Sequence, residues 1–189
     1  MNKVFFTSDT HFNHTNIIKY TNRPFKDVNE MNRVLIEKWN AKVSPRDTVY
    51  FLGDFAMGPI HRWKDFYKVL KGEKILIRGS HDRNAKFMKE DVGFTEIHEK
   101  LEVDLGEHGI WLLQHEPMKT SQKLLHGHVH QHWRRLGEWM INVSVDVWDF
   151  QPVTIEEMLK VTIDSMEYKC VCGETLKHLE DNRRHYGCK

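Results

Sequence analysis

The apolar positions fall into short blocks, most of which end on polar residues. Residues 3–7, 48–52 and 74–77 are nearly unbroken apolar runs, the pattern of strands covered on both faces. Between them the period changes. Met31, Val34, Leu35 and Trp39 recur at helical spacing over residues 30–43, with Asn29 as the expected N-cap. Trp63, Phe66, Tyr67 and Leu70 do the same over residues 60–70, after Gly58-Pro59. Ser44-Pro45-Arg46-Asp47 and Lys71-Gly72 end these helices. A strand, helix, strand, helix, strand order with right-handed crossovers predicts parallel strands.

The second half carries shorter runs at residues 95–97, 100–105, 110–113, 123–125 and 139–145. Gly106-Glu107-His108-Gly109 predicts a tight hairpin. Thr154 is placed to N-cap a final helix over residues 155–163.

Polar clusters follow five of the apolar runs: Asp9/His11, Asp54, Ser80-His81-Asp82, His115, and His128/His130. In a parallel sheet these positions gather at one edge, where ligands collect. Residues i and i+2 of an extended segment share a side, so Asp9 and His11 are expected to converge from a strand end. The mixture of carboxylate and imidazole suits divalent first-row metals. The donors are too many for one tetrahedral ion and about enough for two, with Asp54 able to bridge ions roughly 3.5–4 Å apart.

Composition narrows the setting. The chain has 189 residues, a net charge of +1 and thirteen His, four of them between His126 and His132. Near-zero charge gives no bulk electrostatic case for nucleic acid or membrane. No signal peptide is apparent, and no apolar run approaches the ~20 residues that span a bilayer. All three Cys lie near the C-terminal end, which fits a reducing, cytoplasmic setting better than a disulfide framework.

In order, the clusters read Asp9-Thr10-His11, Gly53-Asp54, Gly79-Ser80-His81-Asp82, His115 and Gly127-His128-Val129-His130. This series resembles the calcineurin-like metallophosphoesterases, whose pattern is D-x-H, G-D, G-N-H-[DE], H and G-H-x-H. The resemblance covers about residues 1–153. Asp9-Thr10-His11-Phe12-Asn13-His14, Asn16-Ile17-Ile18 and Arg23-Pro24-Phe25 look like a small single-domain branch.

The resemblance implies an α/β fold, a four-layer α/β/β/α sandwich of two mixed sheets, over residues 1–166. It implies a first metal on Asp9, His11 and His130, a bridging Asp54, and a second metal on His115, His128 and the residue at position 80. His81 would be catalytic, with Asp82 orienting it. The expected activity is phosphoester hydrolysis by a two-metal-activated hydroxide, with phosphodiesters preferred over phosphomonoesters. Two divalent ions are expected, Mn²⁺ first and Fe, Ni or Zn after it. A non-catalytic, metal-stabilised binding module is the rival reading. The expected partner is a phosphoester, a nucleotide or nucleic acid among the candidates, and not a membrane.

Ser80 departs from the pattern, which has Asn. Its shorter hydroxyl binds after a backbone shift, leaves a gap for water, or leaves the second site weak; weakened binding is the favoured expectation. His14 is placed either to touch substrate phosphate or to cap the next turn. Arg78 is placed to clamp phosphate. His126 is expected to be structural.

Residues 167–189 are expected to be either a zinc-finger-like appendage or a flexible tail whose Cys are free thiols. Cys170, Cys172, His185 and Cys188 resemble a small structural zinc site, although one residue between the first two Cys is fewer than the usual two to four. The tail is mildly basic, which brings nucleic acid into consideration.

Overall fold

A computed structural model describes residues 2–162 and, beyond them, the backbone of two short strands. The zinc-site residues Cys170, Cys172, His185 and Cys188, and the boundary drawn at 166/167, lie outside the described residues.

The chain runs through β1 (Val4–Thr7), α1 (Ile17–Tyr20), α2 (Val28–Lys42), β2 (Thr48–Phe51), α3 (Ile60–Val69), β3 (Glu73–Ile77), α4 (Ala85–Phe87) and β4 (Glu96–His98). It continues through β5 (Lys100–Asp104), β6 (Ile110–Gln114), β7 (Leu124–His126), β8 (Arg135–Leu136), β9 (Met140–Asn142) and α5 (Ile155–Leu159). The two further strands are β10 (Tyr168–Lys169) and β11 (Thr175–Leu176), which pair antiparallel with each other.

Strands β1 to β4 form one sheet in sequence order, all parallel. The second sheet is mixed, in the order β5-β6-β7-β9-β8. The strands of the first sheet alternate between two apolar environments. Phe5, Val49, Phe51 and Leu76 face α2 and α3, against Met31, Leu35, Trp39, Trp63 and Phe66. Phe6, Leu52 and Ile77 face the second sheet, against Trp111, Leu113, Leu125 and Ile141, with Ile155 and Met158 of α5. Apolar residues on both faces explain the unbroken runs in the sequence.

The result is a mixed α/β fold with two stacked sheets. The expected fourth, helical layer differs. Among the described residues, the outer face of the second sheet, with Leu136 of β8 in it, is covered by Val129 and Trp133, both outside the helices. The first sheet is wholly parallel rather than mixed.

Helix ends also depart from expectation. The N-cap of α2 is Asp27, not Asn29: its backbone is extended, and its carboxylate accepts the Glu30 N–H at 2.8 Å. A carboxylate there also suits the positive end of the helix dipole. Thr154 is the expected N-cap of α5, in a capping box with Glu157, but the helix stops at Leu159. Arg135 donates to the carbonyls of Leu159 and Val161, occupying acceptors that a further turn would use. Gly106–His108 makes a 3-10 turn joining β5 to β6 as an antiparallel hairpin. No described helix is long and apolar enough to cross a membrane.

Candidate metal centre

The ends of β1, β2, β3, β6 and β7 carry the five polar clusters, and the fold brings them together. The segment after β1 runs beside the segment after β2. Asp9 N–H donates to Gly53 C=O, His11 N–H to Asp54 C=O and Phe12 N–H to Phe55 C=O, at 2.9, 3.0 and 2.9 Å. Asp9 and His11 do converge, but not as alternate residues of an extended strand. Both lie in the left-handed region, at φ 56° and 46°. Asp54, His128 and His130 do so too, at φ 61°, 70° and 49°. Five of the nine described non-glycine residues with positive φ are therefore candidate ligands. Such conformations are uncommon for residues with a Cβ, though less so for Asp and His, and they cluster where geometry is imposed for use.

Among the described residues, two groups of side chains could each hold a metal ion: Asp9, His11 and His130, and Asp9, Asp54 and His115. Within each group the ligand atoms lie within 4.8 Å of one another. Asp54 Oδ2 is 3.6 Å from His11 Nε2 and 3.4 Å from His115 Nε2, between the two groups. Its Oδ1 accepts the His81 N–H at 2.8 Å, which fixes the carboxylate in that orientation. The sequence reading gave Asp9 to one ion only, whereas Asp9 is common to both groups. Its oxygens accept the Ser8 hydroxyl at 2.6 Å and the His128 N–H at 3.1 Å. A Cβ at Gly127 would lie 2.7 Å from Asp9 Oδ2, so glycine is what allows this approach. His128 itself packs its ring 5.2 Å from that of His115.

The imidazoles are aimed by their outer nitrogens. His115 Nδ1 is 2.7 Å from Leu52 C=O, an acceptor, so Nδ1 carries the proton and Nε2 faces Asp54. His130 Nδ1 lies 2.7 Å from Asp146 Oδ2, leaving its Nε2 free. Both ring nitrogens of the buried His11 lack a hydrogen-bond partner. Buried polar atoms are rarely left so, and a ligand ion would satisfy one of them, Nε2, which faces Asp54. The donor set therefore fits a metal.

Burial and neighbouring charge set the protonation states. Burial pushes the Asp54 carboxyl up, but the hydrogen bond and charge of His115 hold it well below the usual carboxylate range. Burial pulls His115 down, and Asp54 and Asp9 together push it up to about 9. Burial holds His11 well below the ordinary histidine value.

The remaining predicted residues surround this pair of groups. His81 is exposed, with its ring 5.4 Å from that of His11. Asp82 was expected to orient His81. Instead its buried carboxylate accepts the N–H groups of Asp54, Phe55 and Gly79, at 2.9, 3.0 and 2.8 Å. It ties the loop after β2 to the loop after β3, and burial raises its pKa. Ser80 is exposed and borders a cleft beside His115. Arg78 lines the same cleft, but its Nε is held by Glu99 at 2.7 Å. His14 donates its N–H to His11 C=O, and its half-buried ring lies 5.5 Å from that of His11. His126 is fully buried against Trp133, and burial brings it down to about 3.

Sequence reasoning missed Asp146 and the task of Arg23. Arg23 grips the Asp146 carboxylate through Nε and Nη2, at 2.8 and 2.9 Å. The same guanidinium donates to the carbonyls of Thr10 and Asp9, at 2.9 and 2.7 Å. The signal available was an acidic residue inside the apolar stretch Val143-Ser144-Val145-Asp146-Val147. A charge there has to find a partner when buried.

No protein-family model matches the chain. The uncharacterized protein MJ1445 of Methanocaldococcus jannaschii is 36% identical over 174 residues, covering 85% of this chain and 92% of that protein. The gene 66 protein of Mycobacterium phage L5 is 30% identical over 185 residues, covering 78% and 88%. Among solved structures, the protein of unknown function AQ665 from Aquifex aeolicus superposes with a TM-score of 0.70 at 29% identity, over 86% of this chain and all of that one. The phosphoesterase YfcE from E. coli overlaps with a TM-score of 0.38 at 15% identity, too loosely to bear on function.

Proposed function

Since the chain belongs to the same family as MJ1445 of Methanocaldococcus jannaschii and the gene 66 protein of Mycobacterium phage L5, whose names carry no reaction, we propose from the site itself that it is a metal-dependent phosphoester hydrolase. Phosphodiesters are the preferred substrates and Mn²⁺ the preferred ion.

The observation that carries this reading is the position of Asp54 Oδ2, between His11 Nε2 and His115 Nε2 at 3.6 and 3.4 Å. One carboxylate oxygen set between ligands of two groups, each group also using Asp9, suits two ions better than one. Asp9, His11 and His130 would hold the first ion. His115, His128 and Ser80 would hold the second, with Asp54 and Asp9 shared. Bound there, two divalent ions would make water acidic enough to attack near neutral pH and would neutralise the phosphoryl oxygens.

The protein's own groups do the rest. His81, exposed beside His11, gives a ring proton to the ester oxygen as the phosphorus–oxygen bond breaks, so that the group leaves as an alcohol. The loops that carry the ligands are tied together by Asp82, which holds the reacting groups in register.

The test is hydrolysis of aryl monoesters, aryl diesters, cyclic nucleotides and DNA, with Mn²⁺, Ni²⁺, Mg²⁺ or chelator. Turnover that needs metal and favours diesters supports the reading. Turnover of monoesters alone would shift it to a phosphomonoesterase. Metal binding with no turnover, in this protein and in Ser80→Asn alike, would leave a metal-stabilised binding module.

A further inference from the structure

The two metal-capable groups have different neighbours. Next to His115 and Ser80 lies a cleft of about 530 Å³, in the range of small-molecule sites and larger than a phosphoryl group needs. It is polar, with Arg78, Lys100 and Gln114 in its walls and Met118 at its edge. Next to His11, the neighbours are rings. His14 lies 5.5 Å from His11, and Tyr20 lies 6.1 Å from His14 at 75°, edge to face.

Tyr20 is 68% exposed, more than any other large hydrophobic among the described residues. It is also firmly placed. It ends the single turn of α1, which is anchored by buried Ile17 and closed by the Tyr20 N–H to Asn16 C=O bond. The Thr21 hydroxyl adds a bond to Ile17 C=O. An exposed ring has apolar surface that a ligand can still cover. A ring held at the rim of a site presents a stacking surface.

We propose that the centre lies between two substituent subsites, and that His14 and Tyr20 form the one that selects a nucleoside. The cleft beside His115 takes the other ester group. This rests on the phosphoester reading and sharpens it: a monoester can fill one subsite only, whereas a nucleoside phosphodiester fills both. Tyr20 receives the base by stacking.

The test uses the full chain loaded with Mn²⁺, with thymidine 5′-(4-nitrophenyl) phosphate and methyl 4-nitrophenyl phosphate as probes. The variants are Tyr20→Ser and Tyr20→Trp. Tyr20→Ser is expected to raise the KM of the thymidine ester about tenfold more than that of the methyl ester, with kcat little affected. Tyr20→Trp is expected to restore the KM. Turnover of both esters by the unsubstituted protein, with equal or no KM change in Tyr20→Ser, overturns the nucleoside subsite and leaves the hydrolase reading standing. Turnover of neither ester overturns both.

Discussion

Nδ1 of His130 lies 2.7 Å from Oδ2 of Asp146, and the same carboxylate is clasped by Arg23. Because a carboxylate only accepts, the contact fixes the proton on Nδ1 and turns Nε2 inward. Arg23 also holds the carbonyls of Asp9 and Thr10. One buried ion pair thus sets two ligands of the first group, Asp9 and His130, which lie far apart in the sequence. Asp146→Asn is expected to lower Mn²⁺ affinity by about 10- to 100-fold, read by calorimetric titration. Unchanged affinity in a folded variant would remove Asp146 from this role.

His81 reaches the centre twice, by its backbone N–H to Asp54 and by its ring beside His11. Only the ring is lost in His81→Ala. Hydrolysis is expected to fall by about 10²- to 10⁴-fold while bound metal, measured by elemental analysis, stays the same. A matching loss of metal would instead make His81 a ligand.

Asp9, His11 and Asp54 follow strands of the first sheet, whereas His115, His128 and His130 follow strands of the second. An ion held by both sets joins the sheets. Mn²⁺ at a hundred times its dissociation constant is expected to stabilise the fold by about 2.7 kcal/mol. Calorimetric melting with and without chelator measures this, and superimposable melts would argue against a shared site.

Ser80 sits exposed on the turn that borders the cleft beside His115. Ser80→Asn supplies a longer side chain and an amide oxygen at that place. It is expected to raise occupancy of the second ion and with it turnover. Equal metal content and equal rates before and after the change would show that position 80 binds nothing.

Away from the centre, Asp47 accepts the N–H groups of Lys3 and Ser44, at 2.8 and 2.7 Å, and these bonds hold its carboxyl below the usual range. The folded state therefore favours the ionised form. The stability gained is complete above the unfolded carboxyl value, near pH 4, and is lost as pH falls through the lower folded value. Urea unfolding of Asp47→Asn is expected to show a deficit at pH 7 that closes toward pH 2. A deficit independent of pH would assign the effect to packing.

The strands of the first sheet were readable because both of their faces are covered, so Phe5-Phe6 and Val49-Tyr50-Phe51-Leu52 leave no polar gap. The candidate ligands were readable because each follows such a run. What could not be read depends on partners far apart in the chain. Arg23 and Asp146 are separated by 123 positions, and neither residue's neighbours point to the other. Asp82 looked like a partner for the adjacent His81, yet three backbone amides claim it. The turn at Asp9 and His11 follows from bonds to Gly53 and Asp54, which local pattern does not contain. The edge strand Arg135–Leu136 is too short and polar to stand out.

The left-handed backbone at Asp9, His11, Asp54, His128 and His130 bears on how such a chain would age. Each position would relax if it carried glycine, so the present side chains are held against a standing preference of the backbone. A descendant that no longer needed its metals would be free to drift at these five positions first, toward glycine or asparagine, and would gain stability as it lost chemistry. The φ angles thus give such drift a direction, because glycine and asparagine meet less resistance at these five positions than most other residues would.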